Sequence, residues 1–160
     1  MTTFAIRLAE RRDAGDMVAI EEAQFPEPWT RGMMLDEMAN VATRRYTVAL
    51  EGARIAGYLG VMFIMDELHV NTLAVRPGDE GRGVATTLLD DAWRDARERS
   101  ITRATLEVAV SNTRAQRLYH HYGFRPVGVR KNYYPRTHED ALVLWADVAR
   151  DAPATGTTSS

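Results

Sequence analysis

The stretch from Val75 to Leu89 reads VRPGDEGRGVATTLL. Its first residue closes a β-rich run, Glu67 to Val75, and its middle, Arg76-Pro77-Gly78-Asp79-Glu80-Gly81-Arg82-Gly83, is dense in turn formers. From there the period changes, with Val84, Leu88, Leu89, Ala92, Trp93 and Ala96 recurring at helical spacing. Strand, glycine-rich turn and helix start, in that order, predict a place for an anion. The first backbone N–H groups of a helix have no acceptor inside it, and the helix dipole favours negative charge there. Gly81 and Gly83 allow close approach to the backbone without a Cβ in the way. The small residues Ala85, Thr86 and Thr87 keep the first helical turn open. The spacing Gly78-x-x-Gly81-x-Gly83 is neither the P-loop spelling nor G-x-G-x-x-G. On these residues alone, a turn that merely joins strand to helix stays equally open.

Working outward, Phe4, Ile6 and Leu8 alternate as a short strand. Asp13 is placed to cap a helix carrying Met17, Val18, Ile20 and Glu21, which Pro26 and Pro28 end. Thr30 is placed to cap a second helix through Met33, Met34, Leu35 and Met38. Arg45 to Leu50 and Ile55 to Ile64 are β-rich and flank the turn Glu51-Gly52-Ala53-Arg54, a hairpin. Thr102 to Val110 reads as a strand, and Asn112 to Tyr122 as a short helix stopped by Gly123. Val127 to Lys131 and Asp140 to Ala146 close the pattern as strands. The order predicts an α/β sandwich, a mixed sheet with helices on its faces.

Composition narrows the classes. The chain has 160 residues and a formal net charge of -2, so one domain over residues 1–150 is expected, with no global basic footprint for nucleic acid. No apolar run approaches the roughly 20 residues of a membrane span, and no secretory signal opens the chain, which fits a cytoplasmic protein. There is no cysteine, hence no disulfide, thiolate metal site or cysteine nucleophile. His69, His120, His121 and His138 make no metal-ligand spacing with carboxylates, so no metal is expected. The methionines Met33, Met34, Met38, Met62 and Met65 read as core filler. The small polar run from Asp151 to Ser160, DAPATGTTSS, reads as a disordered tail. The oligomeric state is not readable.

The run Val75 to Leu89 resembles the coenzyme A-binding motif of the GCN5-related N-acetyltransferase (GNAT) superfamily. That motif, Gln/Arg-x-x-Gly-x-Gly/Ala, falls on Glu80-Gly81-Arg82-Gly83-Val84-Ala85, with Glu80 as the departure. Leu106-Glu107-Val108, Ser111-Asn112, Leu118-Tyr119 and Tyr122-Gly123-Phe124 resemble the second half of the same fold. Asn132-Tyr133-Tyr134-Pro135 with Glu139-Asp140-Ala141-Leu142 resembles the bacterial ribosomal-protein-alanine N-acetyltransferases, as does Ile20-Glu21-Glu22 with Phe25, Pro28 and Trp29. The resemblance covers nearly the whole chain before the tail. It implies a GNAT fold, a mixed sheet of about seven strands with helices on both faces. It also implies acetyl-coenzyme A as co-substrate and the N-terminal segment of a ribosomal protein as partner. Acetylation of a small amine, or coenzyme binding without catalysis, are the competing functions.

Acetyl transfer from a thioester needs a neutral amine, a stabilised carbonyl oxygen and a proton for the leaving thiolate. A peptide α-amine has a pKa of about 8, so modest base help suffices. Without cysteine, direct attack is expected. On pattern alone Glu107 reads as a solvent-facing glutamate on the face opposite Leu106 and Val108, Tyr119 as a core aromatic and Asn112 as a helix cap. The resemblance makes Glu107 the general base, directly or through a water, and Tyr119 the general acid. It adds Asn112 to the coenzyme contacts, with Gly81, Arg82, Gly83, Val84, Ala85 and Thr86 at the phosphates. The backbone of Leu73, Ala74 and Val75 is expected to pair with the pantetheine arm as an added strand, and one of its N–H groups to polarise the thioester carbonyl. Tyr133 and Tyr134 are expected to wall the peptide slot. Glu21, Glu22, Glu27, Asp36 and Glu37 read as a negative surface that attracts a basic ribosomal tail.

Overall fold

The computed structural model describes residues 3–148, so the tail read as disordered lies outside the described residues. The elements are β1 (Ala5–Leu8), a 3-10 turn (Arg11–Asp13), α1 (Ala14–Gln24), α2 (Arg31–Ala39), β2 (Arg44–Glu51), β3 (Arg54–Ile64) and β4 (Glu67–Val75). They continue with α3 (Val84–Glu98), β5 (Arg103–Ala109), α4 (Thr113–His121), β6 (Arg125–Arg130) and β7 (Ala141–Asp147). The seven strands order as β1-β2-β3-β4-β5-β7-β6. β4 pairs parallel with β5, whereas β1–β2, β2–β3, β5–β7 and β6–β7 are antiparallel, so the sheet is mixed as its α/β pattern implied.

The described residues group into two compact units. Unit 1 takes the chain up to Phe63 together with Val70–Ala92; unit 2 takes Ile64–His69 and the chain from Trp93 onward. The core of unit 1 gathers Met17 and Ile20 of α1, Met34 of α2, and Tyr46, Val48, Ile55, Tyr58 and Ala74 of the strands. Burying an aliphatic side chain of this size contributes roughly 1.5–3 kcal/mol. In unit 2, Trp93 meets Tyr122 and Phe124 edge-on, with ring centroids 5.2 and 5.8 Å apart, and Phe124 meets Tyr119 at 5.5 Å. Edge-on aromatic pairs add about 0.5–1.5 kcal/mol beyond their burial.

Helix ends follow the sequence with one correction. Thr30 Oγ1 accepts from Met33 N at 3.2 Å and Asn112 Oδ1 from Ala115 N at 3.1 Å, both as caps. Gly123, at φ +97°, ends α4. Asp13 makes no side-chain cap on α1. Its carboxylate instead takes Arg7 Nη1 at 2.7 Å and Glu10 N at 2.7 Å, because a charged guanidinium and the preceding 3-10 turn offer stronger donors. Two methionines also leave the core-filler reading. Met33 is 48% and Met65 94% exposed, since α2 buries only Met34 and Met65 sits at the turn after β3.

Candidate active site

Unit 1 holds the glycine turn. Gly81 and Gly83 adopt φ of +80° and +87°, a region that an L side chain enters only at a cost of roughly 1–2 kcal/mol. The turn is braced from behind. Arg82 reaches Glu51 through two bonds of 2.8 and 3.1 Å and Asp79 through one of 2.6 Å. Arg54 adds a 2.8 Å ion pair to buried Asp79. Arg82 bonding holds the Glu51 carboxyl below its ordinary value, and the bonds from Arg82 and Arg54 outweigh burial to do the same for Asp79. The Arg82 side chain is therefore committed to the protein, and what it can offer an anion is its backbone N–H. Thr87 N and Oγ1 both donate to Gly83 O, at 3.0 and 2.7 Å, which sets the start of α3.

Glu80, the residue that departs from the motif, has a partner that the sequence did not reveal. Gln24, at the end of α1, donates through Nε2 to Glu80 Oε2 at 2.9 Å and to Val75 O at 2.7 Å. One amide thus ties the end of β4 to the loop. Leu73 and Val75 are half-buried and alternate with buried Ala74. Val84 is buried, Ala85 half-buried and Thr86 exposed along the first turn of α3.

Unit 1 also corrects the acidic-surface expectation. Glu21 is 3% exposed. It accepts from Tyr58 Oη, from Thr72 Oγ1 at 3.1 Å and from Trp29 N at 3.3 Å. Burial pushes its carboxyl up to about 7, opposed by the hydrogen bonds from Trp29 N and Thr72. Glu37 Oε1 accepts from Arg44, Tyr46 and Asn71 at 2.9, 2.8 and 3.1 Å. Glu21 serves the interior and Glu37 is half-buried, because helical spacing turns both towards the strands. Glu22 and Asp36 do lie on the surface. Trp29, Met33, Asp36 and Glu37 line a groove of about 290 Å³.

Unit 2 holds the candidate acid and base. Glu107 stands in the middle of β5 between buried Leu106 and Val108, so its side chain takes the opposite face as alternation requires. That face is populated. His69 Nε2 lies 2.8 Å from Glu107 Oε1, Arg130 Nε lies 3.4 Å from Oε2, and Tyr133 hydrogen-bonds the same carboxylate. His69 foremost, with Arg130 and Tyr133, holds the Glu107 carboxyl below the usual range against the opposing effect of burial. His69, read from sequence as a histidine without ligand spacing, is the residue this site adds.

Tyr119 lies in α4 and is 7% exposed. Burial raises its phenol well above the ordinary value, with the nearby Tyr134 adding to the effect, so it keeps its proton throughout the physiological range. Tyr133 and Tyr134 meet edge-on, 5.0 Å between centroids. Their segment is pinned by Glu139 and Asp140: Glu139 Oε2 accepts from Ser111 N at 2.6 Å, and Asp140 Oδ1 from Asn132 N at 2.9 Å. The Asn132–Asp140 bond gives a physical reason for the spacing of the Asn132 and Glu139 motifs.

Comparison with known proteins agrees with this fold. The model of the acetyltransferase (GNAT) family matches residues 15–124. A Bacillus subtilis (strain 168) protein, provisionally named a ribosomal protein bS18-alanine N-acetyltransferase, is 34% identical over 147 residues, 92% of this chain and 97% of its own. The Haemophilus ducreyi ribosomal protein bS18-alanine N-acetyltransferase is 33% identical over 137 residues, 83% of this chain and 92% of its own. Among solved structures, the Escherichia coli ribosomal-protein-S18-alanine N-acetyltransferase superposes with a TM-score of 0.84 at 23% identity, covering 97% of this chain and 100% of that one. Arabidopsis thaliana NAA60, solved with acetyl-CoA, superposes at 0.81 with 17% identity, covering 91% and 98%. The chain belongs to the GNAT acetyltransferase family and is an N-acetyltransferase.

Proposed function

We propose that this enzyme takes an acetyl group from acetyl-coenzyme A and places it on the α-amine of the N-terminal alanine of a small-subunit ribosomal protein, in the cytoplasm. The observation that carries the reading is Glu107, an enclosed carboxylate held by His69, Arg130 and Tyr133, in a chain whose full-length relatives bear this activity in their names. The turn Gly81 to Gly83 and the first residues of α3, Val84, Ala85 and Thr86, receive the pyrophosphate on backbone N–H groups. The braced Arg82 contributes by its main chain. The backbone of Leu73, Ala74 and Val75 pairs with the pantetheine arm, and an N–H there polarises the thioester carbonyl. Asn112 Oδ1 is used by its cap, so its NH₂ is the group that meets the coenzyme.

Glu107 serves the base side of the reaction and Tyr119 supplies the proton that the thiolate needs on leaving. Tyr133 and Tyr134 wall the peptide. With no cysteine in the chain, the amine attacks the thioester directly. The test is intact-mass detection of acetylation on N-terminal peptides that vary in the first residue, run beside polyamines and aminoglycosides. Acetyl-CoA-dependent addition to alanine-initiated peptides is expected. Turnover of the small amines alone would replace the substrate, and binding of coenzyme without any acetylation would replace the enzyme by a binding module.

A further inference from the structure

The contact between His69 and Glu107 carries the proposed reaction one step further, and rests on it. Glu107 is the enclosed partner, its side chain 8% exposed, while that of His69 is 24% exposed. Donors from β4 (His69), β6 (Arg130) and the segment after β6 (Tyr133) converge on the Glu107 carboxylate. An ionised carboxylate only accepts hydrogen bonds. The contacting Nε2 therefore carries the hydrogen, and in the neutral imidazole Nδ1 carries the lone pair. We propose that His69, through Nδ1, takes the proton from the incoming amine, and that Glu107 is the positioning carboxylate that fixes this tautomer and stabilises the imidazolium.

Basicity favours the same division of labour. An α-ammonium ionises near a pKa of about 8, more than about three units above an ordinary carboxylate but within about two of an ordinary imidazole. The donors around Glu107 hold it lower still. A carboxylate so placed is a weak acceptor and a good electrostatic partner. The ammonium N–H bond breaks towards Nδ1, and His69 returns that proton to water. The neutral amine forms the N–C bond at the thioester carbon and the C–S bond breaks. The nitrogen sheds its second proton as the thiolate takes one from Tyr119, whose phenol that second proton restores.

The test measures kcat and KM for the wild-type enzyme and for His69→Gln, His69→Ala and Glu107→Gln between pH 5 and 9, on an alanine-initiated peptide. His69→Gln, which keeps a donor to Glu107 but no basic nitrogen, should lower kcat roughly 100-fold. Its KM for acetyl-CoA should stay within about twofold, and the acid limb of the profile should move up to the ionisation of the amine itself, at a pKa of about 8. Added imidazole should restore part of the rate of His69→Ala and none of that of Glu107→Gln. A His69→Gln rate within about threefold of wild type, or an unchanged acid limb, would overturn the proposal and return the base role to Glu107 itself. A measurement on wild-type protein alone stands beside these: ¹⁵N shifts of His69 followed across the same pH range should place the hydrogen of the neutral ring on Nε2, and a neutral ring with its hydrogen on Nδ1 overturns the assignment. If peptides are not acetylated but small amines are, the substrate reading fails, and the same profiles on those amines still decide the role of His69.

Discussion

Glu21 in unit 1 and Glu107 in unit 2 are the same residue type with opposite electrostatics. Glu21 is surrounded by neutral donors, Tyr58, Thr72 and the Trp29 amide, and burial drives its carboxyl up to about 7. Glu107 is met by an imidazole, a guanidinium and a phenol, which drive its carboxyl down despite partial burial. Burial alone always favours the neutral acid; whether it prevails depends on whether a positive partner is close. Unit 1 thus contains a carboxyl that changes charge near neutral pH, and unit 2 a carboxylate that stays charged. A group that steadies an imidazolium needs the second kind of environment.

The contrast can be broken most sharply at Glu107. Glu107→Gln should lower kcat by roughly 100- to 1,000-fold with coenzyme binding nearly unchanged, measured by steady-state kinetics and by calorimetric titration of coenzyme. Tyr119→Phe should lower kcat by about 10- to 100-fold, since the aromatic packing survives and only the proton is lost. Gly83→Val forces a β-branched residue into positive φ and places bulk at the turn, so KM for acetyl-CoA should rise about tenfold or more. A wild-type KM in that variant would remove the turn from the coenzyme site.

Glu21 offers a test by pH. Its folded-state pKa of about 7 lies above the ordinary 4.5, so the folded protein holds this proton more tightly than the unfolded chain. The stability that Glu21 contributes is therefore greatest below about 4.5 and is lost as pH rises through 7. Relative to Glu21→Gln, the wild-type protein should gain roughly 2–3 kcal/mol between pH 8 and pH 5. Thermal melts of both at the two pH values measure this, and parallel curves would contradict it. The smallest effect belongs to Glu80→Gln, which restores the usual motif residue. Gln24 already holds Glu80, so removal of an exposed charge should lower KM for acetyl-CoA by no more than about threefold.

Much of this was legible in the chain. The switch from alternation to helical period at Val84 located α3, and Thr30 and Asn112 capped the helices they precede. Asp13 failed as a cap because Arg7, across a turn, outcompeted the helix amides. Glu21 follows Met17 by four residues, a spacing that places both on one helix face. A glutamate there reads as a surface charge unless hydroxyls from β3 and β4 are known to wait for it. His69 was legible only as a lone histidine. Strand pairing brings His69 opposite Thr105, and the two-residue repeat of β5 sets Glu107 on the same face as Thr105. Tyr133 and Arg130 reach that carboxylate from still later in the chain.

The sequence by itself determined what depends on near neighbours: the strand and helix periods, the caps at Thr30 and Asn112, and the glycine turn at Gly81 and Gly83 that opens α3. Only the tertiary structure decided the ionisation of Glu21 and Glu107, the bracing of Arg82 and the clamp of Gln24 on Glu80. Periods and turns arise from steric and hydrogen-bonding preferences within a few residues. Charge states depend on desolvation and on partners within about 4 Å, which long-range pairing supplies.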